Sequence, residues 1–362
     1  MLADPEIIET LKVRATLIKA MRQFFDNLSF VEVSTPILSG LAGGATAKPF
    51  ETAATEFSDR VLSLRIAPEL WLKRLIIGGM DKVFEIGPSF RNEGLDKTHN
   101  PEFTTCEFYA VGHDLQQLVN LTEQLLTSIT EMLDHTYPSM PLAASFQRPF
   151  QVLDFIPALN TALGVDLPNL SSSNAHSALL SIFHSKDIHL PSNPTLPRLI
   201  DELSSIYLEP QSVDKPLWIT NIPECLSPLA KSFTHPTAPN QQPVAARAEL
   251  FIQGKEVVNC YEEENSPFEQ RRKFVEQQHF ARPASTDDSH AVRVVEDQEA
   301  MKVDEDYLQA LEWGLPPTGG WGCGIDRLVM LFAGKEKIGD VLSFGNLRAV
   351  TRGAEKVQDP KV

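Results

Sequence analysis

Between Ile7 and Phe25 the apolar residues Ile7, Ile8, Leu11, Leu17, Ile18, Met21, Phe24 and Phe25 recur every three or four positions, the period of an amphipathic helix. Residues 30–38 then alternate like a strand and are stopped by Pro36. Residues 61–67 and 82–87 read as short apolar strands, and 106–111 as the return strand of a hairpin whose loop holds Asn92 to Pro101. The stripe Leu118, Leu121, Leu125, Ile129 and Met132 predicts a helix over 115–133 that serves packing. Residues 138–216 turn rich in Ser, Pro and Asn, with helical patches at 174–183 and 196–208, and read as an inserted helical subdomain. Alternation resumes at 217–220, 248–252 and 256–261, and a last helical pattern starts after Gly322. With no repeat or heptad array, the pattern predicts an α+β fold, a mainly antiparallel sheet flanked by helices, and the length suits one large domain over 1–362 or two medium ones.

At 362 residues and 42% apolar, the chain can bury a large core. It contains no run of about 18 apolar residues, so no membrane span is expected. Its first residues are acidic and lack the build of a signal or transit peptide. The four cysteines (106, 225, 260 and 323) form no C-x-x-C pair, which argues against a zinc knuckle or a disulfide framework. A formal charge of −16 opposes a protein that mainly coats nucleic acid, although it permits a local basic surface.

Chemistry concentrates in three places. Residues 90–109 (FRNEGLDKTHNPEFTTCEFY) gather an arginine, a histidine, aromatics and carboxylates about one loop. A guanidinium offers a fork of donors to phosphate and an aromatic ring offers a face to a base, while acids meet an ammonium group or help hold a metal. Alone, this is an ATP-site pattern. Near the end, Gly319, Gly320, Gly322 and Gly324 let the backbone approach a flat ligand and turn into the helix carrying Arg327. No G-x-x-x-x-G-K-[ST] loop is present. Between them, Glu249 and Glu256 sit on two strands joined by a Gln253-Gly254 turn. Carboxylates brought together there would repel unless a cation such as Mg²⁺ lay between them, and a solvated acidic hairpin is the reading these residues favour by themselves.

The blocks RIAPEL (65–70), FRNEG followed by HNPEFT (90–104) and GLPPTGGWGCGIDR (314–327), in this order, resemble the class II aminoacyl-tRNA synthetases and, among them, the lysyl-tRNA synthetases. RIAPELWLKRL together with LSFGNLR (342–348) is similar to the fungal mitochondrial branch, and PTLPRLIDELSSIYLEP (194–210) is similar to an insertion of lysyl enzymes. The resemblance covers about residues 7–350, the class II catalytic fold, without the N-terminal anticodon-binding OB barrel. It implies activation of L-lysine with ATP and transfer to the acceptor stem of tRNA, a homodimer built through the first helix and strand, and a mitochondrial or else cytoplasmic location. It leaves two alternatives: a barrel-less paralogue serving another acceptor such as a protein lysine, and an inactive regulatory homologue.

By the same resemblance, Arg91 binds the α-phosphate and the amino-acid carboxylate, with Arg327 as the second catalytic guanidinium. Glu93, His99, Asn100, Phe103 and Gly324 complete the ATP site. Glu249 and Glu256 hold magnesium. The lysine slot is formed by Gly44, Glu69, Glu107, Tyr109, Asn259, Tyr261 and Glu263. Burying an ammonium group without partners costs several kcal/mol, so these acids imply a cationic substrate. A charge mismatch of about 3 kcal/mol would give over a hundredfold discrimination.

Overall fold

The computed structural model describes residues 5–41, 43–45, 47–138, 146, 148–191, 193–280 and 303–351. The ends of the expected 1–362 domain, and residues 139–145, 147 and 192 of the expected 138–216 insertion, lie outside the described residues. In chain order the elements are α1 (Pro5–Asn27), β1 (Val31–Glu32), β2 (Leu38–Ser39), β3 (Glu51–Ala54), β4 (Phe57–Leu64), α2 (Glu69–Ile77), β5 (Lys82–Phe90), β6 (Glu102–Val111) and α3 (Leu115–Thr136). Next come β7 (Gln151–Asp154), α4 (Phe155–Leu163), α5 (Ala175–Ser185), α6 (Leu196–Tyr207), β8 (Leu217–Thr220), β9 (Ser232–Thr234), β10 (Pro243–Ala245), β11 (Arg247–Ile252) and β12 (Lys255–Glu262). The chain closes with α7 (Pro267–Phe280), α8 (Glu305–Glu312), β13 (Thr318–Gly324), α9 (Ile325–Phe332) and α10 (Leu347–Val350).

The main sheet has eight strands in the order β1-β5-β6-β13-β12-β11-β8-β7. Its two outermost pairs are parallel and the rest are antiparallel. Cross-strand register sorts its faces. One row runs Phe84, Phe108, Trp321, Cys260, Ala248, and all of these are buried in the largest apolar cluster under α1, α3 and α9. There Phe108 stacks on Trp321 at 5.0 Å and Phe25 from α1 meets both rings. The neighbouring rows point to the opposite face: Glu85, Glu107, Gly322, Asn259, Glu249 and Val83, Tyr109, Gly320, Tyr261, Arg247. Because side chains alternate along a strand, the polar motif residues share that second face, and β13 lays a glycine track between them.

Helices α4, α5 and α6 form their own apolar cluster, which continues onto Leu217, Ile219 and Phe251 of the sheet. A third cluster joins α2 to α8 through Leu72, Ile76, Tyr307, Leu308 and Leu311, with Phe274 of α7. Two expectations shift. The strand expected over 30–38 is only β1 and β2, in different sheets; between them Val33 bonds to Phe84, and the Thr35 amide turns to the Glu85 carboxylate at 3.1 Å instead of a ladder partner. The helix expected after Gly322 starts at Ile325, since Gly322 and Gly324 still pair with Glu107 and Thr105.

Candidate active site

On the sheet's glycine-tracked face lies an open cavity of about 620 Å³. It is lined by Gly44, Glu69, Arg91, Glu93, His99, Asn100, Phe103, Glu107, Tyr109, Asn259, Tyr261, Glu256, Gly324 and Arg327. Two expected site residues are placed otherwise. Glu249 lines an adjoining cavity of about 600 Å³, and Glu263 lies just past the end of β12, 2% exposed and behind Gly320.

At one end is a guanidinium and aromatic group. The carbon centre of the Arg91 guanidinium stands 5.2 Å above the Phe103 ring, and its Nε is buried with no hydrogen-bond partner among the described residues. Burial works against the Arg91 charge, while Glu93, Glu256 and Glu107 support it; a cation with an unmet donor is suited to receiving an oxyanion. Arg327 donates from Nη1 to the Glu256 carbonyl at 2.9 Å and from Nη2 to His99 Nε2 at 2.8 Å. A guanidinium only donates, so Nε2 accepts and the ring proton sits on Nδ1, 2.8 Å from Asp96 Oδ2. Asp96 Oδ1 also accepts from the amides of Thr98 and His99, shaping the loop. The loop is tied to the C-terminal segment by Leu347 N to Asn100 Oδ1 and Ile338 N to the Lys97 carbonyl.

Beneath Arg327, Asp326 is 2% exposed; it accepts from the Thr104 amide at 2.8 Å and pairs with Arg14 of α1. It thereby locks α9, β6 and α1 together. In a parallel role, Arg65 and Glu85 form a buried pair at 2.6 Å, with Arg65 Nε also donating to the Pro88 carbonyl.

The opposite end is acidic. Glu69, Glu107 and Glu263 are each at most 8% exposed. The Tyr261 hydroxyl donates to Glu69 at 2.7 Å, and the Tyr109 hydroxyl to Glu107 at 3.2 Å. Burial, reinforced by Glu69, pushes the Glu107 carboxyl up to about 8. Lys73, one turn after Glu69 on α2, places its ammonium 2.6 Å from Glu69 and in contact with Glu263. Burial alone would lower the Lys73 pKa, but Glu263 and Glu69 outweigh it and hold the ammonium charged. Burial presses Glu263 toward its neutral form, the Lys73 ammonium opposes this, and Glu69 adds to the pressure. The contact with a fully charged ammonium favours the ion pair. Glu263 Oε2 touches that ammonium, while Oε1 has no hydrogen-bond partner among the described residues, so this carboxylate retains acceptor capacity for a second cation.

The Gln253-Gly254 turn has both residues at positive φ, 52° and 71°, the two-residue hairpin geometry. Glu249 faces Asn259 and Glu256 faces Phe251, with an irregularity between Leu250 and Phe251, so the two acids are not direct cross-strand partners. They still line one cavity together with Asp201 of α6 and with Glu209. Burial, opposed by Arg247 and increased by Glu256, raises the Glu249 carboxyl to about 7. Arg247 stands 2.5 Å from Glu249 and donates to Asn259 at 3.0 Å. Among the described residues no group of three or more His, Cys, Asp or Glu could hold a metal by itself. Two carboxylates fit Mg²⁺ when substrate phosphates and water supply the remaining oxygens.

Lys73, Tyr307, Arg247, Asp201 and Glu209 were not singled out from the sequence. Only Lys73 carried a readable signal, its i,i+4 spacing from Glu69.

This arrangement can be set beside known proteins. The family described as tRNA synthetases class II (D, K and N) matches residues 1–348. The chain belongs to that family. It is 42% identical over 351 residues to the mitochondrial lysine–tRNA ligase of Schizosaccharomyces pombe, covering 97% of this chain and 64% of that protein. To the probable cytoplasmic lysine–tRNA ligase of Encephalitozoon cuniculi it is 40% identical, covering 92% and 64%, and to the lysine–tRNA ligase of Christiangramia forsetii 36%, covering 99% and 59%. The chain therefore spans a little under two thirds of the length of these relatives. Its α+β architecture, a mostly antiparallel sheet flanked by helices, is that of the class II synthetase catalytic domain.

Proposed function

We propose that this chain activates L-lysine with ATP, forming lysyl-adenylate and pyrophosphate, and passes the lysyl group to tRNA. The observation that carries the proposal is a pair of buried carboxylates, Glu69 and Glu107, lining one end of the cavity with buried Glu263 behind Gly320, while the other end holds Arg91, Phe103 and Arg327. Three buried acids against one internal cation leave a charge that a cationic side chain satisfies and a neutral one does not.

In this reading the lysine carboxylate attacks the α-phosphorus, so two anionic groups must be brought together and the charge on the leaving pyrophosphate absorbed. Arg91, which lines the cavity with a buried unmet donor, bridges carboxylate and α-phosphate. Phe103 supplies one face for the adenine, Arg327 the other, and His99, Glu93 and Asn100 frame the distal phosphates beside Gly324. Glu107, Tyr109, Asn259 and the backbone at Gly44 orient the amino acid, while Glu69, Tyr261 and Glu263 define the far end of its slot. Glu249 and Glu256 would hold Mg²⁺, which when bound neutralises phosphate charge.

The formal charge of −16 favours a second reading in which the activated lysine goes to an acceptor other than tRNA. A homodimer, a mitochondrial location and an inserted subdomain over 138–216 belong to the same proposal. The mitochondrial names of the yeast relatives support the location, and the separate apolar cluster of α4 to α6 supports the subdomain. ATP–pyrophosphate exchange with each amino acid, then charging of total tRNA, tests the reading. Exchange with lysine that Arg91→Ala abolishes is expected; undiminished turnover by Arg91→Ala would remove its assigned role.

A further inference from the structure

The lysine slot already contains a lysine. Lys73 is fully buried, its ammonium 2.6 Å from Glu69 and touching Glu263, with the Tyr261 and Tyr307 rings 5.7 and 5.9 Å away. The groups facing it are Glu69 on its own helix, Tyr261 at the end of β12, Glu263 beyond that strand and Tyr307 on α8. Glu107 on β6 acts on the same carboxylates. All three acids are buried, each at most 8% exposed.

We propose that Lys73 is the positioning residue that sets the charge of this pocket, holding Glu263 ionised and both Glu69 and Glu263 in place so that an incoming ammonium group meets preformed acceptors. The inference rests on the lysine reading of the site. Its physical basis is that two carboxylates confined in a dry pocket share a proton unless a cation lies between them. A protonated Glu263 would have to lose that proton before a substrate ammonium docked, and meanwhile it would hydrogen-bond neutral side chains as readily as charged ones. Lys73 removes that step. It pairs with Glu69 Oε1 and Glu263 Oε2, leaving Glu263 Oε1 for the substrate.

The test is lysine-dependent ATP–pyrophosphate exchange by wild type, Lys73→Met and Lys73→Arg from pH 6 to 9. In Lys73→Met the KM for lysine is expected to rise at least tenfold at pH 7, with the ATP KM within twofold of wild type. Its kcat/KM for lysine should gain a new rise with pH, because the shared proton must leave before the ammonium binds. Lys73→Arg, which keeps the charge, should keep the wild-type pH profile. A lysine KM within twofold of wild type with an unaltered profile, or equal losses toward lysine and ATP, would overturn the inference.

Where Lys73→Met does not fold, calorimetry of lysine binding to the wild-type protein at pH 7, in buffers of different ionisation enthalpy, decides the same point. Release of no more than one proton, that of Glu107, is expected, and release of two overturns it. Absence of any lysine-dependent exchange or binding by wild type instead overturns the lysine reading and this inference with it.

Discussion

Gly320 is where the geometry makes its sharpest demand. A Cβ built there would lie 1.8 Å from Glu263 Oε1 and 2.7 Å from Tyr109 Cε1, so in Gly320→Ala the carboxylate must retreat by roughly 1.5 Å to reach an ordinary contact. Glu263 is wholly buried against Lys73, and retreat pulls it off that ammonium. Losing one partner of a buried ion pair costs about 3 kcal/mol, which corresponds to more than a hundredfold in lysine affinity if the displaced acid also misses the substrate. The assay is amino-acid-dependent pyrophosphate exchange, with the KM for lysine and for ATP measured separately and the melting temperature recorded alongside. Gly322 is the control for fold: its Cβ would meet Glu107 Cγ at 3.6 Å and the Asn259 carbonyl at 3.9 Å, ordinary contacts, so Gly322→Ala should melt with wild type. A folded Gly320→Ala protein whose lysine KM stays within threefold of wild type would refute the argument that Glu263 has no room to move.

Two further outcomes follow from buried charge. Burial pushes the Glu107 carboxyl from its ordinary 4.5 up to about 8, so the stability it contributes is present below pH 4.5 and lost as pH rises through 8. Glu107→Gln removes that slope, and thermal melts should show the variant gaining on wild type between pH 5 and 8.5, by about 5 kcal/mol at most; a constant difference across that range would contradict the raised pKa. Arg65→Met strands Glu85, which is 5% exposed, and should cost about 3 kcal/mol in urea unfolding, most of it regained in Arg65→Met/Glu85→Leu. Equal stability of the single and double variants would show that the pair carries no such coupling.

The parts of the fold that were legible are those whose apolar residues keep a regular period. The α1 and α3 stripes and the alternation in β8, β11 and β12 are of this kind, and they were placed to within a few residues. Helix α7 was invisible because the residues it buries are Gln270, Lys273, Phe274 and Gln277. Three of the four are polar and donate to the Pro228, Ala230 and Cys225 carbonyls and to Glu264, so a hydrophobic period never forms. Strand β13 read as a glycine cluster, whereas its Gly320 and Gly322 are the site face of a strand whose other face carries Trp321 and Cys323 into the core.

At the site, residues within the motif blocks could be named, but the partners brought in by tertiary structure could not. Asp201 and Glu209 reach the second cavity from α6 and the turn after it, roughly forty residues before the hairpin whose acids they join. Tyr307 arrives from α8 to close the Lys73 pocket. Nothing in their local pattern signals either meeting.

The central claim is that buried acids at the end of this cavity read the charge of a side chain. Calorimetric titration with L-lysine and with L-norleucine, which has the same carbon chain without the terminal ammonium group, tests that claim most directly. The account predicts at least hundredfold tighter binding of lysine in the presence of a non-hydrolysable ATP analogue. Equal affinity for the two would contradict it.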